Sequence, residues 1–405
     1  MRKGRFIVIV LDSYGVGYME DVPKVRPQDL GANTCKHIID KIPELKLPNL
    51  EKLGIMNALG ENYGQMKMNP RAVYGTSKLM HYGGDTFLGH QEIMGTNPKR
   101  PLIKPFSHYI DAVYDALISK GYKVEKVGEK LKYLWVDDCV AIGDNMETDP
   151  GQVYNVTTSF QNITFEEELE IGKVVREIVE VERVIVFGGT MATVDSIKAA
   201  KEEKKGKYIG INAPKSKVYE EGYMVRHLGY GIDPVTQIPT ILGENGIPVI
   251  LIGKVADIVS NDRGTNFTDL VDTETIFGIT LKEIEKLETG FMCVNIQETD
   301  LSGHAENSER YAEILKICDK YIGKVIEKIS DEDILIITAD HGNDPTIGHS
   351  QHTREKVPIL IYRKNLDSIN IGLRETMSDI GATVAEYFNV RLPENGKSFL
   401  EKIKT

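Results

Sequence analysis

Six short runs along the chain are apolar at almost every position and rich in valine and isoleucine. They lie at residues 6–12, 183–189, 247–253, 291–297, 333–340 and 357–363. Continuous rather than alternating hydrophobicity is typical of a strand that helices cover on both faces. These runs therefore predict buried strands.

Amphipathic segments lie between several of these runs. The clearest one carries apolar residues at three- and four-residue spacings from Tyr311 to Ile329, which form one stripe on a helix. Another, SDIGATVAEYF, begins at Ser378, a residue type that often caps a helix, and we expect it to do so here. The alternation of strand and helix predicts an α/β fold whose core is a doubly wound, mostly parallel sheet.

The middle of the chain has a different character. From about Lys104 to Tyr230 it is richer in tyrosine and glutamate and has fewer buried-strand runs. Proline and glycine in NPKRP and in GIDPVTQIPT mark linkers on either side of this region. We therefore predict a core made of residues 1–103 and 231–405, with an inserted α+β cap domain at residues 104–230.

Composition narrows the possible partners and location. The chain has 49 Lys and Arg against 60 Asp and Glu, a formal charge of −11 that argues against binding to nucleic acid or an anionic membrane. Near the start, the apolar stretch runs only from Phe6 to Leu11, too short for a signal sequence or a membrane span. We expect a cytoplasmic protein.

The four cysteines form no C-x-x-C pair, so neither a zinc ribbon nor a disulfide framework is indicated.

Carboxylate and imidazole side chains collect where the predicted strands end. Asp12 ends one strand, Asp300 follows another, and Asp340 ends a third, with His341 directly after it. His304 lies four residues beyond Asp300, and His352 eleven beyond His341. Ligands bind at the carboxyl ends of parallel strands, so we expect these six residues to converge.

Mixed carboxylate and imidazole ligands suit manganese, zinc, iron or magnesium. Two such ions ~3.5–4 Å apart form the clamp that is used in phosphoryl transfer. An aspartate after a strand is, taken singly, more often a helix cap. Together, however, the six residues would be a destabilising cluster of buried charge if no metal were bound.

A second segment, HYGGDTFLGHQEIMGTNP at residues 81–98, contains a candidate nucleophile. Two glycines before Asp85 and Thr86 allow a tight turn that leaves a hydroxyl at the start of the next element. Without metals, a simple helix cap is the commoner role for such a threonine. Beside a two-metal site, Thr86 is instead a candidate nucleophile towards phosphorus, because a metal lowers the pKa of a hydroxyl.

Several motifs together resemble the phosphopentomutases of the alkaline phosphatase superfamily. They are FIVIVLDSYGVG, LPNLEKLG, GGDTFLGHQEIMG, GKVADI, TADHGNDP, HTREKVPILIY and SDIGATVAEYFNV with GKSFL. The resemblance implies a metal-binding α/β core with a smaller inserted cap. It also implies two divalent metal ions, with manganese as the first choice and zinc or magnesium as alternatives.

The resemblance assigns a role to each candidate residue. Thr86 matches the phosphorylated nucleophile of the family. One metal would be held by Asp12, Asp340 and His341, with the Thr86 oxygen completing the sphere. The other would be held by Asp300, His304 and His352. The implied reaction moves a phosphoryl group between the 1- and 5-positions of ribose or deoxyribose.

The chain departs from the family pattern near the nucleophile and in the cap. The family carries D-T-x-T-G-H-W-E, but Leu88 and Gln91 replace its second threonine and its tryptophan. The family's T-S-A-D segment, whose aspartate holds the sugar, corresponds at best to residues 155–158. Arg226 matches a cap arginine and is assigned, with His90, as a substrate-binding residue. These departures leave the substrate as a small phosphorylated, sugar-like metabolite.

We therefore predict a metal-dependent phosphomutase. The alternative is a metal-dependent phosphatase, in which water cleaves phosphorylated Thr86 because the altered pocket no longer shields it. A non-catalytic metal-binding protein would be expected to lack ligands, and none is missing from the sequence.

Overall fold

The computed structural model describes residues 4–147 and 150–404. The first three and the last residue of the predicted core, and residues 148 and 149 of the predicted cap, lie outside the described residues. The chain divides into two compact units. The first unit runs up to Pro98 and resumes at Asp233, and the second is Lys99–Ile232.

Strands and helices alternate along much of the chain. The strands are β1 (Arg5–Leu11), β2 (Val73–Ser77), β3 (Val124–Val127), β4 (Tyr133–Val136), β5 (Val140–Asp144), β6 (Val153–Ser159), β7 (Arg183–Gly189), β8 (Lys201–Lys204), β9 (Tyr208–Ile211), β10 (Met224–Gly229), β11 (Val249–Ile252), β12 (Thr265–Phe267), β13 (Gly290–Ile296), β14 (Ile334–Thr338), β15 (Val357–Tyr362) and β16 (Ile369–Arg374). The helices are α1 (Val22–Val25), α2 (Thr34–Lys41), α3 (Pro48–Leu53), α4 (Ile55–Leu59), α5 (Thr86–Ile93), α6 (Ile110–Ser119), α7 (Phe165–Ile178), α8 (Val194–Ala199), α9 (Ala213–Ser216), α10 (Ile238–Glu244), α11 (Lys254–Ile258), α12 (Thr273–Lys286), α13 (Glu298–His304), α14 (Ser308–Lys328) and α15 (Ser378–Phe388).

The first unit is built on an eight-stranded sheet in the order β12-β11-β13-β1-β14-β15-β2-β16. Every neighbouring pair is parallel except the two pairs that β15 makes with β14 and β2, so β15 alone runs against the others. The residues of β1, β13 and β14 are almost all buried, as their continuous hydrophobicity predicts. The predicted mostly parallel α/β core is confirmed.

Two helices of the first unit test the sequence patterns. In α14, the apolar stripe is buried at Tyr311, Leu315 and Ile322. Helix α15 begins at Ser378, but the prediction that Ser378 caps it is wrong. The N-cap residue is Met377, whose side chain makes no capping hydrogen bond. The Ser378 hydroxyl donates instead to the Thr96 carbonyl at 2.8 Å.

The second unit combines a sheet with helices. Its six-stranded sheet has the order β10-β7-β6-β5-β4-β3, in which only β6 and β7 are parallel. A smaller antiparallel pair is formed by β8 and β9. Helices α6 and α7 pack their apolar residues with one face of the larger sheet. Strand β7 is the predicted apolar run at residues 183–189, whereas β4, β5 and β6 are buried at every residue although the sequence analysis did not predict them as buried strands.

Glu168 of α7 is buried in the core of the second unit. Neither carboxylate oxygen has a hydrogen-bond partner in the described part of the chain. Burial raises the pKa of Glu168 well above its ordinary value of 4.5, and the nearby Phe187 backbone, which makes no hydrogen bond of normal geometry to the carboxylate, offsets this only in part. A buried carboxyl without partners destabilises the fold, and more so once it ionises.

We expect Glu168→Met to raise the free energy of unfolding at pH 8 by about 1–3 kcal/mol. Because the pKa is raised in the folded state, the wild-type chain loses stability as the pH rises above about 4.5, and the variant should lack this part of the dependence. Urea denaturation at pH 5 and pH 8 measures both effects. The exposed Glu177→Met on the same helix is the control, and equal behaviour of the two variants would contradict this account.

Candidate metal centre

Three neighbouring strands bring the three predicted carboxylates to one edge of the sheet. Strand β1 lies between β13 and β14 and is parallel to both. Asp12 directly follows β1, Asp340 lies two residues after β14, and Asp300 stands in α13, which begins two residues after β13. All three side chains are buried.

The predicted histidines approach these carboxylates through their Nε2 atoms. His304 and His352 lie with Nε2 3.3 and 3.4 Å from the Asp300 oxygens, and their two Nε2 atoms are 2.9 Å apart. The Nε2 atom of His341 is 3.5 Å from Asp12 Oδ1 and 3.3 Å from Asp340 Oδ2. The ring of His341 also stacks on that of His352, with centroids 4.0 Å apart, so the six predicted residues form one continuous cluster.

The other ring nitrogen of each histidine contacts a backbone carbonyl. The Nδ1 atoms of His304, His341 and His352 lie 2.7, 2.9 and 2.8 Å from the carbonyl oxygens of Ser350, Gly342 and Gly84. Donation from Nδ1–H fixes the tautomer and leaves the Nε2 lone pair facing the cluster. Metal-binding histidines are held in this way, with one nitrogen on the metal and the other on a carbonyl or carboxylate.

Thr86 lies at the first turn of α5, against the cluster. Asp85 caps this helix by accepting the Leu88 amide at 2.8 Å, so the threonine is not the cap. The Thr86 hydroxyl is thus available, and it donates to Asp340 Oδ2 at 2.7 Å. Gly89 permits the close approach, because a Cβ at that position would lie 2.7 Å from the Asp340 carbonyl oxygen.

The carboxylates and histidines of the cluster are buried close together, and each shifts the pKa values of its neighbours. Burial and the nearby Asp340 raise the pKa of Asp12 to about 6. Burial also acts on Asp300 and Asp340, but hydrogen bonds and charges from the neighbouring histidines outweigh it and hold both pKa values well below the usual range. Burial lowers the pKa of His341, but Asp340 more than compensates and raises it to about 10.

Two buried atoms of the cluster lack hydrogen-bond partners among the described residues. They are Asp12 Oδ1 and His341 Nε2. Ligand atoms also lie within 4.8 Å of one another in two groups of three, Asp300 with His341 and His352, and Asp12 with His90 and Asp340. A buried carboxylate oxygen and a buried imidazole nitrogen without hydrogen-bond partners fit the ligand preferences of divalent cations, which bind both atom types.

Lys254 lies in the cluster, although the sequence reasoning assigned it no role. Its ammonium is 2.9 Å from Asp12 Oδ2 and 3.7 Å from Asp300 Oδ2. Burial lowers the pKa of Lys254, but Asp12 and Asp300 outweigh this and raise it. The available signal was its position in GKVADI, directly after β11 at the same edge of the sheet.

Three other polar residues hold the carboxylates in place and were also missed. Ser13 has a left-handed backbone, φ 67°, and its amide donates to Asp340 Oδ1 at 3.0 Å. The Asn295 and Asn343 amides donate to Asp12 Oδ2 and Asp300 Oδ1, each at 2.9 Å. A left-handed backbone conformation costs free energy at any residue other than glycine, and such conformations often occur at functional sites.

His90 lies next to Asp340 and is completely buried. Its Nδ1 is 2.9 Å from the Thr86 carbonyl oxygen and 3.2 Å from Asp340 Oδ2, and its Nε2 is 3.0 Å from the Asn295 amide nitrogen. His90 therefore contacts Thr86 and Asp340 through one ring nitrogen, and through the other Asn295, which itself bonds to Asp12.

Arg226, the other predicted substrate-binding residue, lies in the second unit. Arg226 is half-buried on β10, where its backbone pairs with Val186 of β7, and its side chain has no hydrogen bond or ion pair among the described residues.

Comparisons with known proteins place the chain in a family. A sequence model of the metalloenzyme superfamily matches residues 4–392. Phosphopentomutase of Clostridium botulinum (strain Alaska E43 / Type E3) is 32% identical and covers 100% of both chains. Phosphopentomutase of Clostridioides difficile (strain 630) is 30% identical over 98% of both.

Solved structures give a weaker likeness. Leishmania mexicana phosphoglycerate mutase matches with a TM-score of 0.48 and 11% identity, over 98% of this chain and 97% of that one. Alkaline phosphatase from the Antarctic bacterium TAB5 matches with a TM-score of 0.36 and 12% identity, over 96% of this chain and 100% of that one. These values add nothing to the assignment, which rests on the sequence matches. The chain belongs to the metalloenzyme superfamily and, within it, to the phosphopentomutase family of enzymes.

Proposed function

We propose that the protein is a two-metal phosphomutase that moves a phosphoryl group within a small phosphorylated sugar through phosphorylated Thr86. The observation that carries this proposal is the Thr86 hydroxyl, which lies 2.7 Å from Asp340 in the cluster of six candidate ligands. The full-length similarity to phosphopentomutases supports the same reaction type.

Two sets of residues would hold the metal ions, for which we propose manganese. Asp12, Asp340 and His341, with the Thr86 oxygen, would hold one ion. Asp300, His304 and His352 would hold the other, consistent with the contacts among these three side chains. When bound, the two ions stabilise charge on the phosphoryl oxygens and lower the pKa of the threonine hydroxyl.

The reaction begins with a phosphoryl group on Thr86. A free hydroxyl of the bound sugar phosphate attacks phosphorus, the bond to Thr86 Oγ1 breaks, and the hydroxyl proton passes to water. Thr86 Oγ1 then attacks the other phosphoryl group of the sugar, the bond between that phosphorus and its sugar oxygen breaks, and the sugar oxygen takes up a proton from water. The phosphothreonine is restored, and the sugar phosphate leaves as its isomer.

Residues around Thr86 would position it for both steps. Asp340 accepts the Thr86 hydrogen bond, and the Ser13 amide holds the other Asp340 oxygen. His90 contacts both the Thr86 carbonyl and Asp340, so we assign it to positioning the nucleophile as well as to the substrate-binding group. Lys254 neutralises part of the charge of Asp12 and Asp300.

The proposed substrate is a phosphorylated pentose or a close analogue, after the name of the relatives. Arg226 is the proposed phosphate-binding residue of the second unit. Its planar guanidinium suits a phosphate, and no ion pair occupies it among the described residues. Thr158 of β6 uses its hydroxyl to contact the Cys139 carbonyl at 3.0 Å, so it would not replace the family's sugar-binding aspartate.

An assay of ribose 1-phosphate and other sugar phosphates with manganese tests the proposal. We expect isomerised sugar phosphate to form in large excess over free phosphate, because phosphorylated Thr86 passes its group to the sugar. The measurement is product analysis by phosphorus NMR together with a free-phosphate assay. Free phosphate as the main product with every sugar would contradict the mutase and favour the phosphatase.

A further inference from the structure

A cavity of about 1030 Å³ lies in the first unit at the end of the sheet opposite to the metal centre. Val73 at the start of β2 and Tyr362 at the end of the antiparallel β15 line it, so it opens at the amino ends of the parallel strands. The candidate metal ligands lie at the carboxyl ends. The cavity is therefore a separate place in the fold.

Cationic side chains outnumber carboxylates around this cavity, although the whole chain carries a formal charge of −11. The cations that line it are Lys52, Arg71, Arg363 and Lys364, and the carboxylates are Asp331 and Asp367. A cavity that is basic in an acidic protein attracts anions selectively.

Ion pairs within the cavity occupy both carboxylates. Arg71 contacts Asp367 Oδ2 through two nitrogens, at 3.0 and 2.8 Å, and Lys364 lies 3.6 Å from Asp331. Lys52 and Arg363 have no carboxylate partner among the described residues. Two cations are left for a ligand.

Arg363 is the more informative of the two, because only 9% of it is exposed. Its Nη1 donates to the Ile403 carbonyl at 2.9 Å, and its Nε has no hydrogen-bond partner among the described residues. Burying a guanidinium without a counter-ion is costly, and guanidinium groups bind phosphate in a forked geometry. An anion with several oxygen acceptors would satisfy this group.

Apolar side chains, together with Asn69 and Asn365, form the rest of the wall. Leu53, Val73 and Ile361 line the cavity beside the cations. The volume is much larger than a bare phosphate needs and lies at the upper end of the range of small-molecule sites. We propose that this cavity binds a phosphate ester of a small organic molecule, with Lys52 and Arg363 on the phosphate and the apolar wall against the carbon skeleton.

Calorimetric titration of the manganese-loaded protein with glycerol 3-phosphate, and separately with inorganic phosphate, tests this site. The variants are Lys52→Met and Arg363→Met, with Lys46→Met as an exposed lysine outside the cavity. We expect a saturable site for both probes that weakens at least tenfold in the first two variants and is unchanged in the third. Turnover at saturating substrate should stay at the wild-type level in all of them.

Lys52 is exposed, so its replacement tests the site even where loss of the buried Arg363 disturbs folding. Glycerol 3-phosphate isotherms that are identical in wild type and Lys52→Met would overturn the proposal. A site that binds inorganic phosphate but not glycerol 3-phosphate would also overturn it, because the apolar wall would then have no role.

Discussion

Replacing Thr86 with alanine is expected to lower kcat by about 10⁴-fold or more while leaving the bound metal in place, because the variant lacks the only atom proposed to carry the phosphoryl group. Alanine keeps the first turn of α5, since Asp85 rather than Thr86 caps this helix. The measurement is steady-state turnover of a sugar phosphate, paired with elemental analysis of the same preparation.

Thr86→Ser is the matched control. It keeps a hydroxyl at the same position, and we expect it to retain part of the activity and to incorporate phosphate at residue 86, which mass spectrometry detects. Wild-type turnover in Thr86→Ala would end the covalent mechanism. Loss of activity together with loss of metal would show that the threonine serves the metal site alone.

The second large effect concerns the metal ligands. Asp340→Asn and His352→Ala are each expected to reduce bound manganese from two ions per chain to one or none, with loss of turnover. Asp340 is buried and contacts both His341 and Thr86, so an amide there removes a charge from the first set of ligands. His352 contacts both Asp300 and His304, so its replacement removes one of the three side chains of the second set of ligands.

The exposed His108→Ala of the second unit is the control for the histidine variant, and its metal content should equal that of the wild type. Circular dichroism shows whether each variant is folded. A folded Asp340→Asn protein with two tightly bound manganese ions would contradict the assignment of Asp340 as a ligand.

The sequence predicted the central strands because burial on both faces produces continuous apolar runs. β1, β13 and β14 are of this kind. The edge strand β16 was missed, since its burial is partial and it contains Gly372 at a register irregularity. β2 was missed for a related reason, because its burial alternates with a period of two over only five residues.

The candidate site was predictable where a single strand end or a local spacing carries the information. The i,i+4 spacing of Asp300 and His304, for example, places both side chains on one face of α13. The position of Lys254 after β11 places it at the same edge of the sheet, but it does not reveal the partner of its side chain. Its contact with Asp12 depends on how the segments after β11 and β1 pack across the intervening β13, which no local pattern encodes.

The location in the cell and the identity of the metal stay predictions. No helix in the described part of the chain combines the length and the hydrophobicity that a membrane-spanning segment requires.

The central claim is that the six residues and Thr86 surround a pair of divalent cations. Anomalous diffraction from crystals grown with manganese tests it most directly. We predict two manganese peaks ~3.5–4 Å apart, one among Asp12, Asp340 and His341 beside the Thr86 oxygen, the other among Asp300, His304 and His352. An absence of peaks at these residues, or peaks only elsewhere on the chain, would contradict the account.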